Sequence, residues 1–109
     1  MVPVVRVSIL RCRPEHFAEL RQMSIEAEPI LRPGIEAMPG CISFHFGADE
    51  ATSSLANVSL WTSLDAAKQL DHFQPMLDLG KPFIAKGAIF ERPIMNHVTL
   101  WALKGSSAS

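Results

Sequence analysis

Apolar and polar residues alternate strictly in three stretches of the chain, and a longer period separates them, so strands and helices are predicted in turn. Residues 4–11 (Val-Val-Arg-Val-Ser-Ile-Leu-Arg) read as a first strand, with Val5, Val7 and Ile9 on one face and Arg6 and Ser8 on the other. Pro14 then opens a helix at a position where its missing N–H costs nothing. The stripe Phe17, Leu20, Met23, Ala27, Ile30/Leu31, Ile35 and Met38 predicts one helix, bent at Pro29 and Pro33-Gly34, that runs to Met38. Pro39-Gly40 stops it. Cys41 to Gly47 alternates again, with Ile42, Phe44 and Phe46 opposite Ser43 and His45, and residues 48–54 form a polar hairpin loop. In the next strand Ala56, Val58 and Leu60 oppose Asn57, Ser59 and Trp61. Ser63 is a good N-cap, and Ala67, Leu70 and Phe73 recur at helical spacing. Residues 71–75 break or kink this helix, and Met76, Leu77 and Leu79 continue it before Gly80-Lys81-Pro82. Residues 83–91 fit either a helical turn or an extended piece, and Ile94 to Leu103 reads as the last strand.

The order β-α-β-β-α-β, with one hairpin and two crossover-length connections, predicts an α+β, ferredoxin-like fold with a four-stranded antiparallel sheet. One domain over residues 1–104 and a flexible tail over residues 105–109 are expected. Hydrophobic residues make up 48% of the 109 and charged ones 19%, an apolar balance that hints at surface buried against a partner. Ten Lys and Arg against eleven Asp and Glu, with no charged block, argue against nucleic acid and anionic membranes as partners. No apolar run approaches the ~20 residues of a membrane span, and Cys12 and Cys41 lack zinc-finger or Cys-x-x-Cys spacing. A cytoplasmic protein with reduced thiols is the expectation.

The second faces of the strands carry the candidate chemistry: Arg6 and Ser8, Ser43 and His45, Asn57, Ser59 and Trp61, and His97, Thr99 and Trp101. If helices cover one side of the sheet and a partner the other, these groups must be hydrogen-bonded or line a wet cavity. An aromatic-lined polar concavity suits a small-molecule substrate. Trp61 either packs the strand–helix corner or flanks a ligand, and the mid-strand amide of Asn57 bonds either backbone or substrate. His45, His97 and His72 are the candidate proton acceptors, since a base must lie within about 3 Å of its proton. The histidines lack metal-ligand spacing and no glycine-rich phosphate loop occurs, so neither metal nor nucleotide cofactor is expected.

Three landmarks, Pro39-Gly40-Cys41, Trp61-Thr62-Ser63 with Ala66, and His72-Phe73, resemble the antibiotic biosynthesis monooxygenase type of dimeric α+β barrel over residues 4–103. The resemblance implies a homodimer with its sheets face to face and a pocket in each subunit between sheet and helices. Some members are cofactor-independent oxygenases of phenolic or anthrone-like polyketides, in which an Asn lies four residues before the strand Trp, as Asn57 does before Trp61. Others degrade haem, but the Asn, Trp and His they use are not matched here. Many members place a His nine residues after the Trp, where this chain has Leu70. The expectation is a cofactor-free monooxygenase of a small aromatic or polyketide-like substrate. Asn57 would hold the substrate oxygen, Trp61 would flank the ring, and His45, His72 or His97 would take the proton. Trp101, Arg6, Ser43 and Ser59 would line the site. The alternatives are a non-catalytic binding or interaction barrel, and isomerase or lactone-type chemistry on a small acid held by Arg6 or Arg92.

Overall fold

The computed structural model describes residues 2–105; the rest of the expected tail, 106–109, lies outside them. The elements are β1 (Val4–Arg11), α1 (Pro14–Glu26), α2 (Glu28–Glu36), β2 (Cys41–Asp49), β3 (Ser54–Trp61), α3 (Leu64–Lys68), a 3₁₀ turn over Gln69–His72, α4 (Gln74–Ala85), β4 (Ile89–Phe90) and β5 (Met95–Val98). This is the α+β, ferredoxin-like order. The first helical region is two helices rather than one bent helix: Pro29 brings no N–H to bond the carbonyl four residues back, and the chain turns at Ala27. Ser63 caps α3 as expected, its side chain accepting from the Ala66 N–H at 3.1 Å. Helix α4 continues through Gly80 and Pro82 to Ala85, so the first of the uncertain residues 83–91 finish a helix.

All strand pairs are antiparallel, and β1 lies inside the sheet between β3 and the short strands. Strand β3 pairs with it along its whole length, Val4 opposite Trp61 and Arg11 opposite Ser54. On its other side β4 pairs at one end (Leu10 opposite Phe90) and β5 at the other (Val7 opposite Met95). Only Ser8 and Ile9 of β1 lie between those pairs, whereas Glu91 to Ile94 intervene on the opposite side. The fourth strand position is therefore broken, and the surplus chain bulges out of the ladder at Pro93, which has no N–H to give it. The last strand is also shorter than expected. Val4 meets Val98 and Thr99 donates its N–H to the Pro3 carbonyl at 2.9 Å, the last bond between these two segments among the described residues.

Helices cover the sheet face formed by Val4, Arg6, Ser8 and Leu10 of β1 and Leu55, Asn57, Ser59 and Trp61 of β3. Its ends are apolar and seed two clusters. One joins Val4, Trp61, Ala27, Leu31, Ile35, Ala67 and Leu70; the other joins Leu10, Leu55, Leu20, Phe83 and Ala88. The polar middle of the face lies between them. Among the described residues no helix lies over the opposite face, with Val5, Val7, Ile9, Ala56, Val58 and Leu60, and Val58 is 39% exposed. Among the described residues no helix is long and apolar enough to cross a membrane.

Candidate functional site

A cavity of about 400 Å³ lies over the polar middle of the covered face, between the two core clusters. Its floor is Arg6, Ser8 and Asn57, and its walls are mainly apolar, from Leu31 of α2, Phe46 of β2, Phe83 of α4 and Phe90 of β4. That volume and lining are those of a small-molecule pocket. The bulge in the fourth strand position matters here, because it puts Arg92 and Ile94 against the cavity.

Ser8 and Asn57 face one another across the β1–β3 ladder, so their side chains stand together on the floor. Both are partly buried, and among the described residues neither side chain has a hydrogen-bond partner. Two polar groups left free beside a hollow are the arrangement expected where a guest molecule supplies the partner.

Arg6 lies beside them and is 3% exposed. Its Nη2 donates to Asp71 Oδ1 at 2.7 Å, while Nη1 has no acceptor among the described residues. Asp71 belongs to the 3₁₀ turn that breaks the second helical region, so the break brings a carboxylate over the sheet and onto the guanidinium. The cross-strand neighbour of Arg6 on β5 is Asn96, whose Oδ1 is also buried without a partner among the described residues, as is Thr99 Oγ1.

Of the residues singled out in the sequence, the cavity brings together Arg6, Ser8, Asn57 and Arg92. Trp61 does not reach it. The indole is wholly buried in the core cluster and donates from Nε1 to Ser59 Oγ at 2.8 Å, so it packs the strand–helix corner and occupies Ser59. Ser43 and His45 lie on the other side of the sheet. A bulge between Cys41 and Ser43 reverses the phase of β2, so that His45 stands opposite Val58 and Phe46 opposite Asn57. Ser43 lines a wider groove of about 770 Å³ between β2 and helices α1 and α2. His97 pairs with Val5 and shares the uncovered face, and Trp101, past the end of β5, is 83% exposed. His72 is exposed on the 3₁₀ turn, next to the residue that does line the cavity, Asp71. The shared face expected for the strand residues is thus split between two surfaces.

Ser8 shared Arg6's face in the sequence, but only its pairing with Asn57 marks it as part of the site. For Asp71 the signal is the broken helix; for Lys81, which also lines the cavity, the sequence holds none. Among the described residues no group of three His, Cys, Asp or Glu side chains is placed to hold a metal ion.

No protein-family model matches the chain, and no curated protein matches it in sequence. Solved structures do. A candidate antibiotic biosynthesis monooxygenase from Deinococcus radiodurans superimposes with TM-score 0.71 at 16% identity, over 94% of this chain and 98% of the other. A dimeric ferredoxin-like protein from an uncultured marine organism gives 0.72 at 5% identity, over 94% and 100%. SnoaB, a cofactor-independent oxygenase from Streptomyces nogalater, gives 0.59 at 13% identity, over 100% of both chains. At these identities the likeness is one of fold. The chain has the ferredoxin-like fold shared by proteins of the antibiotic biosynthesis monooxygenase type.

Proposed function

We propose that this protein is a cofactor-independent monooxygenase of a small aromatic or polyketide-like substrate, with the cavity over Arg6, Ser8 and Asn57 as its site. The observation that carries the reading is the Ser8–Asn57 pair, which offers two free hydrogen-bonding groups to the floor of an otherwise apolar hollow. A phenol or enolised anthrone would lie against Phe46, Phe83 and Phe90 with its oxygen on those groups. Hydrogen bonds that strengthen as the oxygen becomes an anion favour loss of its proton, and more so in a site shielded from water. The lining of the cavity includes no histidine, so the role of proton acceptor moves from His45, His72 or His97 to Asp71. The anion passes one electron to dioxygen, the radical pair combines as a peroxide at the ring carbon, and loss of water leaves the quinone. One oxygen atom enters the product and the other leaves as water.

The uncovered apolar face supports a homodimer with the sheets face to face, since such a surface is otherwise left in water. The absence of histidine from the lining also favours a second reading, a binding site without turnover.

Oxygen uptake by metal-free protein with 1,8-dihydroxyanthrone separates these. Uptake above the buffer rate that falls in Asn57→Leu supports the oxygenase. Uptake at the buffer rate removes it, and saturable binding without uptake leaves the binding site.

A further inference from the structure

The charges around the cavity are unbalanced in a way that selects its ligand. Arg6, Lys81 and Arg92 line it, and Asp71 is the one carboxylate among the lining residues. Asp71 is already engaged by Arg6. The other two cations come from different elements, Lys81 from α4 and Arg92 from the bulge between β4 and β5, and both are exposed to water. Neither is neutralised. The Lys81 ammonium is 3.9 Å from Asp78 Oδ1, at the limit of an ion pair, with its side chain 80% exposed. Arg92 has no carboxylate partner among the described residues. Its Nη1 donates to the Glu91 carbonyl at 3.2 Å, and its guanidinium lies 5.5 Å from the centre of the Phe90 ring, itself part of the cavity wall. The Glu91 carboxylate beside it is held by Arg11 instead. A chain of net charge −1 thus places a positive excess around one apolar hollow.

We infer that the cavity takes an aromatic acid: a molecule with a neutral oxygen at its inner end, on Ser8 and Asn57, and a carboxylate at its outer end, between Lys81 and Arg92. The orientation follows from desolvation. An anion left at the water-exposed end keeps much of its hydration and still gains two charge-assisted contacts, whereas burial beside the Arg6–Asp71 pair would strip its hydration next to another carboxylate. This rests on reading the cavity as a substrate site, and it is tested by binding alone, so the two can fail separately.

The probes are 9-anthracenecarboxylate and its neutral near-isostere 9-anthracenecarboxamide, followed by fluorescence anisotropy. The acid should bind about tenfold or more tightly than the amide, as charge-assisted contacts imply. Salt should erode this preference as it screens the exposed cations. In the double variant Lys81→Met/Arg92→Met the two probes should bind alike, with the circular dichroism spectrum unchanged. Equal binding by wild-type protein, a preference that survives in the double variant, or no binding of either probe overturns the inference. A preference for the acid without any oxygen uptake upholds it while removing the monooxygenase.

Discussion

Replacing Asn57 by leucine should make the protein more stable and less active. The amide lies in mid-strand, partly buried, with no hydrogen-bond partner among the described residues, and it borders a hollow into which a similar-sized side chain fits. Burying an amide without a compensating bond costs about 1–3 kcal/mol, and the partial exposure of this one puts the cost near the lower end. Leucine removes it and adds apolar contact with Leu31, Leu55 and Phe46 on the same cavity wall. A gain of about 1 kcal/mol corresponds to a rise in melting temperature of roughly 4 °C for a chain of this length. In the proposed reaction the same change deletes a hydrogen bond to an oxygen that becomes charged. Such a bond contributes about 1.5–3 kcal/mol, which lowers oxygen uptake by roughly 10- to 100-fold. Calorimetry at one protein concentration and an oxygen electrode read the two effects on the same preparation. A melting temperature that falls by several degrees would show that the amide holds the fold together, and unchanged uptake would show that no substrate oxygen rests on it.

Asp71→Asn should cost about 1–3 kcal/mol in urea titrations, more than an ordinary surface aspartate, because it leaves the buried Arg6 guanidinium without its anion. Adding Arg6→Met should recover part of that loss, and strictly additive costs would disprove the coupling. Val58→Asp, on the uncovered face, should shift the mass found by light scattering from a dimer to the 12.0 kDa chain; a wild-type protein already at that mass would refute the proposed assembly. Burial pushes the thiols of Cys12 and Cys41 above the ordinary thiol range, with the Glu15 carboxylate adding to the effect at Cys12. Both then carry less thiolate near pH 8 than a free cysteine, and iodoacetamide should alkylate them more slowly in the native than in the unfolded protein. The native state holds these protons more tightly, so the shift costs nothing well below the ordinary thiol pKa and lowers stability as pH rises through it. Equal alkylation rates in the two states would contradict this.

Within each element the sequence is decisive, because the period of side-chain direction is a local property of the backbone. Val4–Arg11 is the strand that alternation marks, Pro39-Gly40 ends the helical region before β2, Ser63 caps α3, and Asn57 and Arg6 point to the same side of the sheet. Their order along the chain suffices for a ferredoxin-like fold. The relative phase of the strands is another matter, since one residue of slip moves every side chain of a strand to the opposite face. That phase depends on pairing between distant segments. A bulge after Cys41 sent Ser43 and His45 away from Asn57, and the register of β5 sent His97 after them, leaving Asn96 beside Arg6. Tertiary packing also decided that the indole at position 61 fills the core and that Asp71, carried in by a broken helix, meets a guanidinium 65 residues away in the chain. The sequence alone determined which residues could share a face; only the assembled sheet, through its hydrogen-bond register, decided which of them meet around a hollow.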